Sequence, residues 1–364
     1  MKIGITLDMS VAFWANGMQQ NIVFLYSLLQ NAGNECYYIT YKKPEHELHK
    51  GHKGMMLQDL LKDDNEVLDV LIIAGFDLLP DMYKRLKKRN KKLKIILIHY
   101  GNKMIDDFTH AAVGPESNRE PIAISSFIDE IWTSPHYGFA VNYLKTYYKN
   151  DNVKIAPYIW DSFFVDEKIE ELKDKGLNPE FNQSMSNKIC VFEPNKNFSK
   201  NCVIPLMICE RFNQLFGNEL SSINIFCCEK IRKRKFLIKY VNQLNIGKQK
   251  DLLFFNNRWG AIEACCKFGK TVLSHQTFNE LNYSHFEKLH LGLPLIHNSA
   301  MLENVGYYYP EFDVDMGAKQ LKNAMQNHAS TINDYKKDAK TFLREFSPDS
   351  ENNIKEYIDL LNND

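Results

Sequence analysis

The chain opens on a short apolar run, KIGITL at 2–7, of the kind a strand buried on both faces requires. A polar loop containing Gly17 follows. Then comes a stretch at 21–31 in which Ile22, Leu25, Leu28 and Leu29 fall on one helical stripe. Gly33 stops that helix, and CYYIT at 36–40 reads as the next strand. Strand, helix, strand in this order is a βαβ unit and predicts a parallel sheet. The alternation continues with strands at 67–74, 94–99, 130–133 and 153–157 and helices at 83–92 and 141–148. From 166 to 187 the chain turns charged and then polar, which reads as a linker with a surface helix. A second alternation then begins, with strands at 189–192, 223–227, 252–255, 271–273 and 295–297. Helices are expected between them at 203–216, 230–244, 261–268 and 283–291, and the chain is helical again from 319. No repeat of solenoid period is present, so the pattern predicts two βα-rich domains of comparable size.

Composition adds exclusions. The 364 residues suffice for two cores, and 45 Lys and Arg balance 45 Asp and Glu. No global field draws the chain to nucleic acid or to an anionic membrane, so any basic function is a local pocket. The longest apolar runs fall short of the ~18 residues that span a bilayer. The first residues lack the basic and apolar regions of a secretory signal. The eight cysteines form no CxxC, and the adjacent pairs Cys227–Cys228 and Cys265–Cys266 sit in apolar segments. Buried thiols in a reducing compartment are therefore expected, which points to a cytoplasmic protein without structural zinc or disulfides. No GxGxxG follows the first strand, which disfavours a dinucleotide dehydrogenase.

The most informative segment is SHQTFNELNYSHFEKLHLGLPLIHNS, 274–299. A strand ends near Ser274, a polar loop leads to a short helix carrying Glu287, and Gly292, Pro294 and an apolar strand follow. In an open parallel sheet, ligands bind beyond the carboxyl ends of strands. A helix starting there points its positive N-terminus at the crevice, a natural seat for a diphosphate. A carboxylate on that helix can take both hydroxyls of a ribose.

This order resembles the nucleotide-sugar motif of GT-B glycosyltransferases, especially the retaining enzymes of glycosyltransferase family 4. Glu287, Gly292 and Pro294 stand where that motif has its second glutamate, Gly and Pro. The motif's first glutamate falls on Asn279, with Glu280 one place away, so either residue could take the sugar-facing role. The resemblance runs on in order along most of the chain. Gly17 stands where the family keeps a glycine beside the donor phosphates, and His99 ends a strand whose last residue faces the donor sugar. After the first strand of the second half, Lys200 matches a diphosphate-binding lysine. The arginine of that loop has no counterpart: Glu193 lies about where it would be, and Lys196 could substitute. Asn195 belongs to the same loop, while Arg258, in NNRW, stands where similar enzymes place the base-binding loop. The runs GMQQN (17–21), FEPN (192–195) and HLGLPLIHN (290–298) are also similar to a group of glycosyltransferase-like proteins of bacteria and viruses.

The resemblance implies an α/β protein with two Rossmann-like domains whose parallel sheets face each other across a cleft. Its parts would be an N-terminal acceptor domain at 1–162, a linker at 163–187 and a nucleotide-sugar domain at 188–345. A C-terminal helix at 346–364 would have room to pack back on the first domain. The implied activity moves a sugar from a nucleotide diphosphate sugar to a hydroxyl acceptor on a glycan, lipid or protein glycan, with retention and without metal or other cofactor. His99, Lys200 and Glu280 would be the catalytic group. Gly17, Asn195, Lys196, Arg258, Ser274, Asn279, Asn282 and Glu287 would bind substrate. No nucleic-acid partner and no integral membrane segment is expected, while the basic stretches at 84–92 and 230–239 leave room for peripheral membrane contact. An inactive nucleotide- or glycan-binding protein and a nucleotide-sugar epimerase of the same fold are the alternatives. Each residue also has a structural reading: Glu287 as an exposed helix charge, His99 as a sheet-edge cap, Gly17 as a turn. Lys200 and Arg258 read equally as solvated loop residues. Asp313-Val-Asp315 spells DxD but reads as loop, His136 is a lesser acceptor-side candidate, and Tyr307–Tyr309 could stack on a sugar.

Overall fold

The structure is a computed structural model, and residues 1–10, 17–42, 48–49, 51–62, 67–114 and 125–362 are described. The chain divides into two compact units, Met1–Asp161 with Phe346–Asp364, and Ser162–Glu345.

The first unit is built on β1 (Lys2–Thr6), β2 (Glu35–Thr40), β3 (Gly54–Met56), β4 (Val70–Ile73), β5 (Lys94–His99), β6 (Glu130–Thr133) and β7 (Val153–Ile155). Among the described residues these form one seven-stranded sheet in the order β3-β2-β1-β4-β5-β6-β7. Every pairing is parallel, with Ile3 opposite Cys36 on one side and Val70 on the other. Central strands of such a sheet are covered on both faces, and all four residues of β4 are accordingly buried. The helix Gly17–Asn31 places Ile22, Leu25, Leu28 and Leu29 fully inside. Each such side chain contributes roughly 1.5–3 kcal/mol when taken from water.

The helix Glu351–Asn362 belongs to this unit. The Tyr357 hydroxyl donates to the Pro157 carbonyl at 2.9 Å, and its ring meets Trp132 edge-on at 5.7 Å. The Lys94 ammonium donates to the carbonyls of Leu360 and Leu361 at 3.4 and 3.3 Å, a cation at a helix C-terminus. Lys94 and Lys154 also flank the buried Glu130 carboxylate at 3.2 and 2.8 Å.

The second unit repeats the plan with β8 (Lys188–Val191), β9 (Ser222–Ile225), β10 (Leu253–Phe255), β11 (Thr271–Leu273), β12 (Leu295–His297) and β13 (Tyr307–Tyr308). The order is β10-β9-β8-β11-β12-β13, again parallel throughout. One core lies under the helices Val203–Phe216 and Val314–Arg344 and includes Leu206, Phe212, Ile223 and Leu321. A smaller cluster of Cys190, Phe226 and Ala264 covers the opposite face.

In both sheets the chain winds outward from the first strand to one edge and then crosses to the other side. The switch points therefore lie between β1 and β4 and between β8 and β11, the places where ligands bind in open sheets of this kind.

Several elements differ from the sequence pattern. The surface helix read at 166–187 begins earlier, as Phe163–Asp174, and lies in the second unit. β3, the helix Lys103–Val113 and β13 carry too short or too mixed an apolar pattern to be read. Residues 230–233 are turns, Arg234 is the N-cap, and the helix there is Lys235–Gln243. Of the DxD run read as loop, Asp313 is the N-cap, accepting from the Met316 N–H at 2.8 Å, while Val314 and Asp315 open the helix Val314–Arg344, with Asp315 paired to Arg211 at 2.5 Å. Tyr307 lies in β13 and Tyr309 is fully buried, its hydroxyl on the Ser274 carbonyl at 3.2 Å, so these two rings serve the core. All eight cysteines are unpaired thiols, and no helix among the described residues is long and apolar enough to cross a membrane.

The first switch point is crowded. The Thr6 hydroxyl accepts from the N–H groups of Ala74 and Gly75 at 2.8 and 3.1 Å. A Cβ at Gly75 would lie 2.8 Å from both the Asp8 nitrogen and the Thr6 carbonyl oxygen. Backbone cannot yield as a side chain does, so Gly75→Ala is expected to cost about 1–3 kcal/mol, measurable as a lower urea midpoint.

Candidate functional site

The loop leaving β8 is Phe192–Lys200, and it is zipped to the loop leaving β11. Thr277 N–H donates to the Ser199 carbonyl at 2.9 Å, and Lys200 bridges to Gln276 in antiparallel fashion. Asn195 shapes the first loop. It sits at φ +55°, a left-handed conformation that asparagine tolerates better than most residues. Its Nδ2 donates to the carbonyls of Glu193 and Phe226 at 2.7 and 3.1 Å, and its Oδ1 accepts from the Cys202 N–H at 2.9 Å. The side chain predicted to bind substrate is thus the staple that fixes the loop to β9 and to the head of the helix Val203–Phe216. Lys196, beside Cys227, is exposed, and Lys200 is half-buried.

Gln276 is the hub of the second loop. Its Oε1 accepts from Asn279 at 2.5 Å and Asn282 at 2.8 Å, and Asn298 holds its backbone on both sides. Asn282 also caps the helix Tyr283–His290 by accepting from the Ser284 N–H at 2.8 Å. Glu280 turns the other way. Its carboxylate accepts from the Ala300 N–H at 2.6 Å, and its carbonyl accepts from the Ser299 hydroxyl at 2.6 Å. This caps the 3-10 turn Ala300–Leu302. Glu280→Ala is expected to lower stability by about 1 kcal/mol, as for loss of a helix cap, read as a shift of the denaturation midpoint.

Glu287 lies on the helix Tyr283–His290 with its Oε2 2.9 Å from the Lys288 ammonium. The Lys288 side chain is completely buried; its ammonium also donates to the Ser284 hydroxyl at 3.1 Å and lies 5.2 Å over the Phe192 ring. The helix bearing Glu287 is thereby anchored at the end of β8.

Between the two loops, directly over the β8/β11 switch point, Ser274 donates its hydroxyl to Glu193 Oε1 and meets His285 Nε2 at 2.8 Å. Glu193 is 2% exposed, and burial pushes its carboxyl up to about 7. Ser274, the charge of Lys200, the Gln276 amide and the His275 N–H pull it partly back. His285 is held neutral by burial and by the charges of Lys288 and Lys200, and burial holds His275 at about 4. Glu193 Oε2, His285 Nδ1 and His275 Nε2 are all buried without a hydrogen-bond partner. Native interiors pair nearly all such atoms, which makes Glu193 and His285, joined through the Ser274 hydroxyl, the candidate ligand contacts here, while the His275 ring lies against Tyr309 and Phe312.

At the ends of β9 and β10, the Arg258 backbone N–H donates to the Glu229 carboxylate, holding it below the usual range, while the Arg258 side chain is exposed. Asn256 Nδ2 is another buried atom without a partner.

The structure thus gathers Ser274, Asn279, Asn282, Asn195 and Lys200 around one switch point, with Glu287 on the helix that follows. Arg258 lies at the far edge of the same sheet, after β10. Sequence reasoning missed Gln276, His285 and the joining role of Glu193. For Glu193 and Gln276 the only signal was position just beyond a strand end, and His285, inside the helix Tyr283–His290, gave none.

In the first unit, His99 ends β5. Its Nε2 is buried without a partner, and burial with the Lys103 charge holds the ring at about 4, hence neutral. Gly17 is the first residue of the helix Gly17–Asn31, its carbonyl accepting from Asn21 at 2.8 Å. Residues 11–16, before it, lie outside the described residues. His136 is buried in the 3-10 turn Pro135–Ala140, its ring 3.8 Å from that of Tyr137.

A family profile matches residues 3–361. The chain belongs to DUF2827, a family described as proteins of unknown function. No curated protein sequence matches it. Among solved structures, an alpha-glucosyltransferase in complex with UDP and a 13-mer DNA containing an HMU base superposes with a TM-score of 0.63 at 13% identity, over 99% of each chain. TarM gives 0.61 at 9% identity over 99% of this chain and 98% of its own. Sucrose-phosphate synthase of Thermosynechococcus elongatus gives 0.55 at 11% identity over 99% and 98%. The fold, two α/β units on parallel sheets, is the GT-B fold of these glycosyltransferases.

Proposed function

We propose that this DUF2827 member transfers a sugar from a nucleotide diphosphate sugar to a hydroxyl acceptor, and that its second unit holds the donor's diphosphate at the β8/β11 switch point. One observation carries the reading: Glu193 and His285, joined through the Ser274 hydroxyl at that switch point, each keep a buried polar atom without a well-aligned hydrogen bond, in a fold shared with a UDP-bound glucosyltransferase. Lys200 and the N-terminus of the helix Tyr283–His290 supply positive charge there. Glu287 supplies a carboxylate for ribose hydroxyls.

The leaving nucleoside diphosphate gathers negative charge as the glycosidic bond breaks. Groups already in place stabilise that charge without reorganising, which is the main rate effect asked of Lys200 and the helix N-terminus. With retention of configuration, the departing phosphate takes the acceptor proton and no protein nucleophile is required. Asn279 toward the sugar, in place of Glu280 whose carboxylate is held by the Ala300 N–H, Lys196 toward the diphosphate and Arg258 toward the base complete the proposed donor contacts. For His99 and Gly17, the sugar- and phosphate-facing roles are proposals carried by sequence resemblance. Metal independence is part of the same proposal.

A thermal-shift screen against UDP-, GDP- and dTDP-sugars tests the reading. At a concentration of about 100 Kd a matching donor adds about 2.7 kcal/mol, a rise of several degrees for a chain of this size. No shift with any of the three donor classes would contradict it. A second reading, nucleotide-sugar binding without turnover, is favoured by the engagement of Glu280 with the Ala300 N–H and by the lack of arginine at 193–200. Release of free nucleoside diphosphate in the presence of donor separates the two.

A further inference from the structure

We propose that Glu193 binds the donor as a neutral carboxylic acid, its Oε2–H donating to a phosphoryl oxygen, so that donor binding takes up one proton. This rests on the donor site assigned above and adds to it a residue that stands where the resembling enzymes carry a cation.

The geometry fixes which oxygen is available. Oε1 is occupied by the Ser274 hydroxyl, which is itself held by His285 Nε2 at 2.8 Å. Oε2 is buried and makes no well-aligned hydrogen bond, with the Gln276 amide and the His275 N–H as the neighbouring donors of the carboxyl. A carboxylate there would oppose a diphosphate, whereas a carboxylic acid offers it a hydrogen bond. Burial favours the neutral form, with the carboxyl at about 7 even with Lys200 nearby. The groups that face Glu193 come from every neighbouring element. They are Lys200 after β8, Cys202 at the head of the helix Val203–Phe216, Cys227 after β9, and Ser274, His275 and Gln276 after β11. His285 on its helix and Tyr309 after β13 complete the set. Burial raises Cys202 to about 12 and lifts Cys227 and Tyr309, while His275 and His285 are depressed to neutrality. Glu193 is therefore the group of this set that changes charge near pH 7.

The sign follows. Below about 7 the free protein already carries the proton, and affinity is flat with pH. Above it the proton must be taken up on binding, so affinity falls tenfold per pH unit, about 25-fold between about pH 6.5 and about pH 8.5.

The test uses the whole chain with UDP-glucose, GDP-mannose and dTDP-glucose, whose pyrophosphates keep constant charge in this range. Calorimetric titration in two buffers of different ionisation heat counts the protons taken up. The wild type is expected to take up close to one proton at about pH 8 and to show the fall in affinity. In Glu193→Gln the amide copies the neutral acid: affinity becomes independent of pH, exceeds that of the wild type at about pH 8.5, and proton uptake disappears. Flat wild-type affinity with no proton uptake would overturn the proposal, as would an unchanged slope in Glu193→Gln. The wild-type proton count decides the matter even if the variant does not fold. Binding of none of the three donors at any pH would overturn the donor site itself, and the proposal with it.

Discussion

Replacing Glu287 by glutamine is expected to weaken nucleotide-sugar binding by about 100-fold, as two charge-assisted hydrogen bonds to ribose hydroxyls give way to weaker neutral ones. Glutamine is the informative substitution because of Lys288. That ammonium is completely buried, 2.9 Å from Glu287 Oε2. An amide oxygen still accepts from it, so the fold is retained. Alanine would leave the buried cation with the Ser284 hydroxyl and the Phe192 face, and about 3 kcal/mol of stability should go with it. Replacing both residues, Glu287→Ala with Lys288→Met, removes the buried charge together with its partner and should restore stability but not binding. Calorimetric affinity with a urea titration reads both effects. Wild-type affinity in a folded Glu287→Gln protein would remove Glu287 from the donor site.

Lys200→Ala is expected to lower kcat by about 100-fold while donor affinity changes by less than about tenfold. Its partner charge is largest after the glycosidic bond has begun to break, so the loss falls on the transition state rather than on the ground state. The substitution has a second consequence. The Lys200 charge pulls the Glu193 carboxyl down, so its removal raises that carboxyl further and moves any pH profile governed by Glu193 upward. Single-turnover rates against pH, beside equilibrium binding, separate these effects. Equal losses in affinity and turnover would make Lys200 a ground-state anchor only.

Much of the fold was legible because a parallel sheet buried on both faces writes uninterrupted apolar runs. VLII in β4 and KIILIH in β5 could hardly be anything else. β3 and β13 escaped because three and two residues are too few to set a period. In the site, spacing along one segment pointed to Ser274, Asn279, Asn282 and Glu287, all carried by a single strand–loop–helix unit. The Glu193–Ser274 bond joins residues 81 positions apart, and only the pairing of β8 with β11 brings them together. The roles of Asn195 and Glu280 were not legible for a different reason. Both are polar residues in the expected loops, yet their side chains are spent on backbone groups, and sequence does not distinguish a loop staple from a ligand contact.

The decisive measurement is hydrogen exchange of the intact chain, with and without the nucleotide sugar that raises its melting temperature most. Donor bound at the second unit slows exchange in two segments, 193–200 and 274–290, which flank the β8/β11 switch point. Slowing confined to other segments, with these two unchanged, would contradict it.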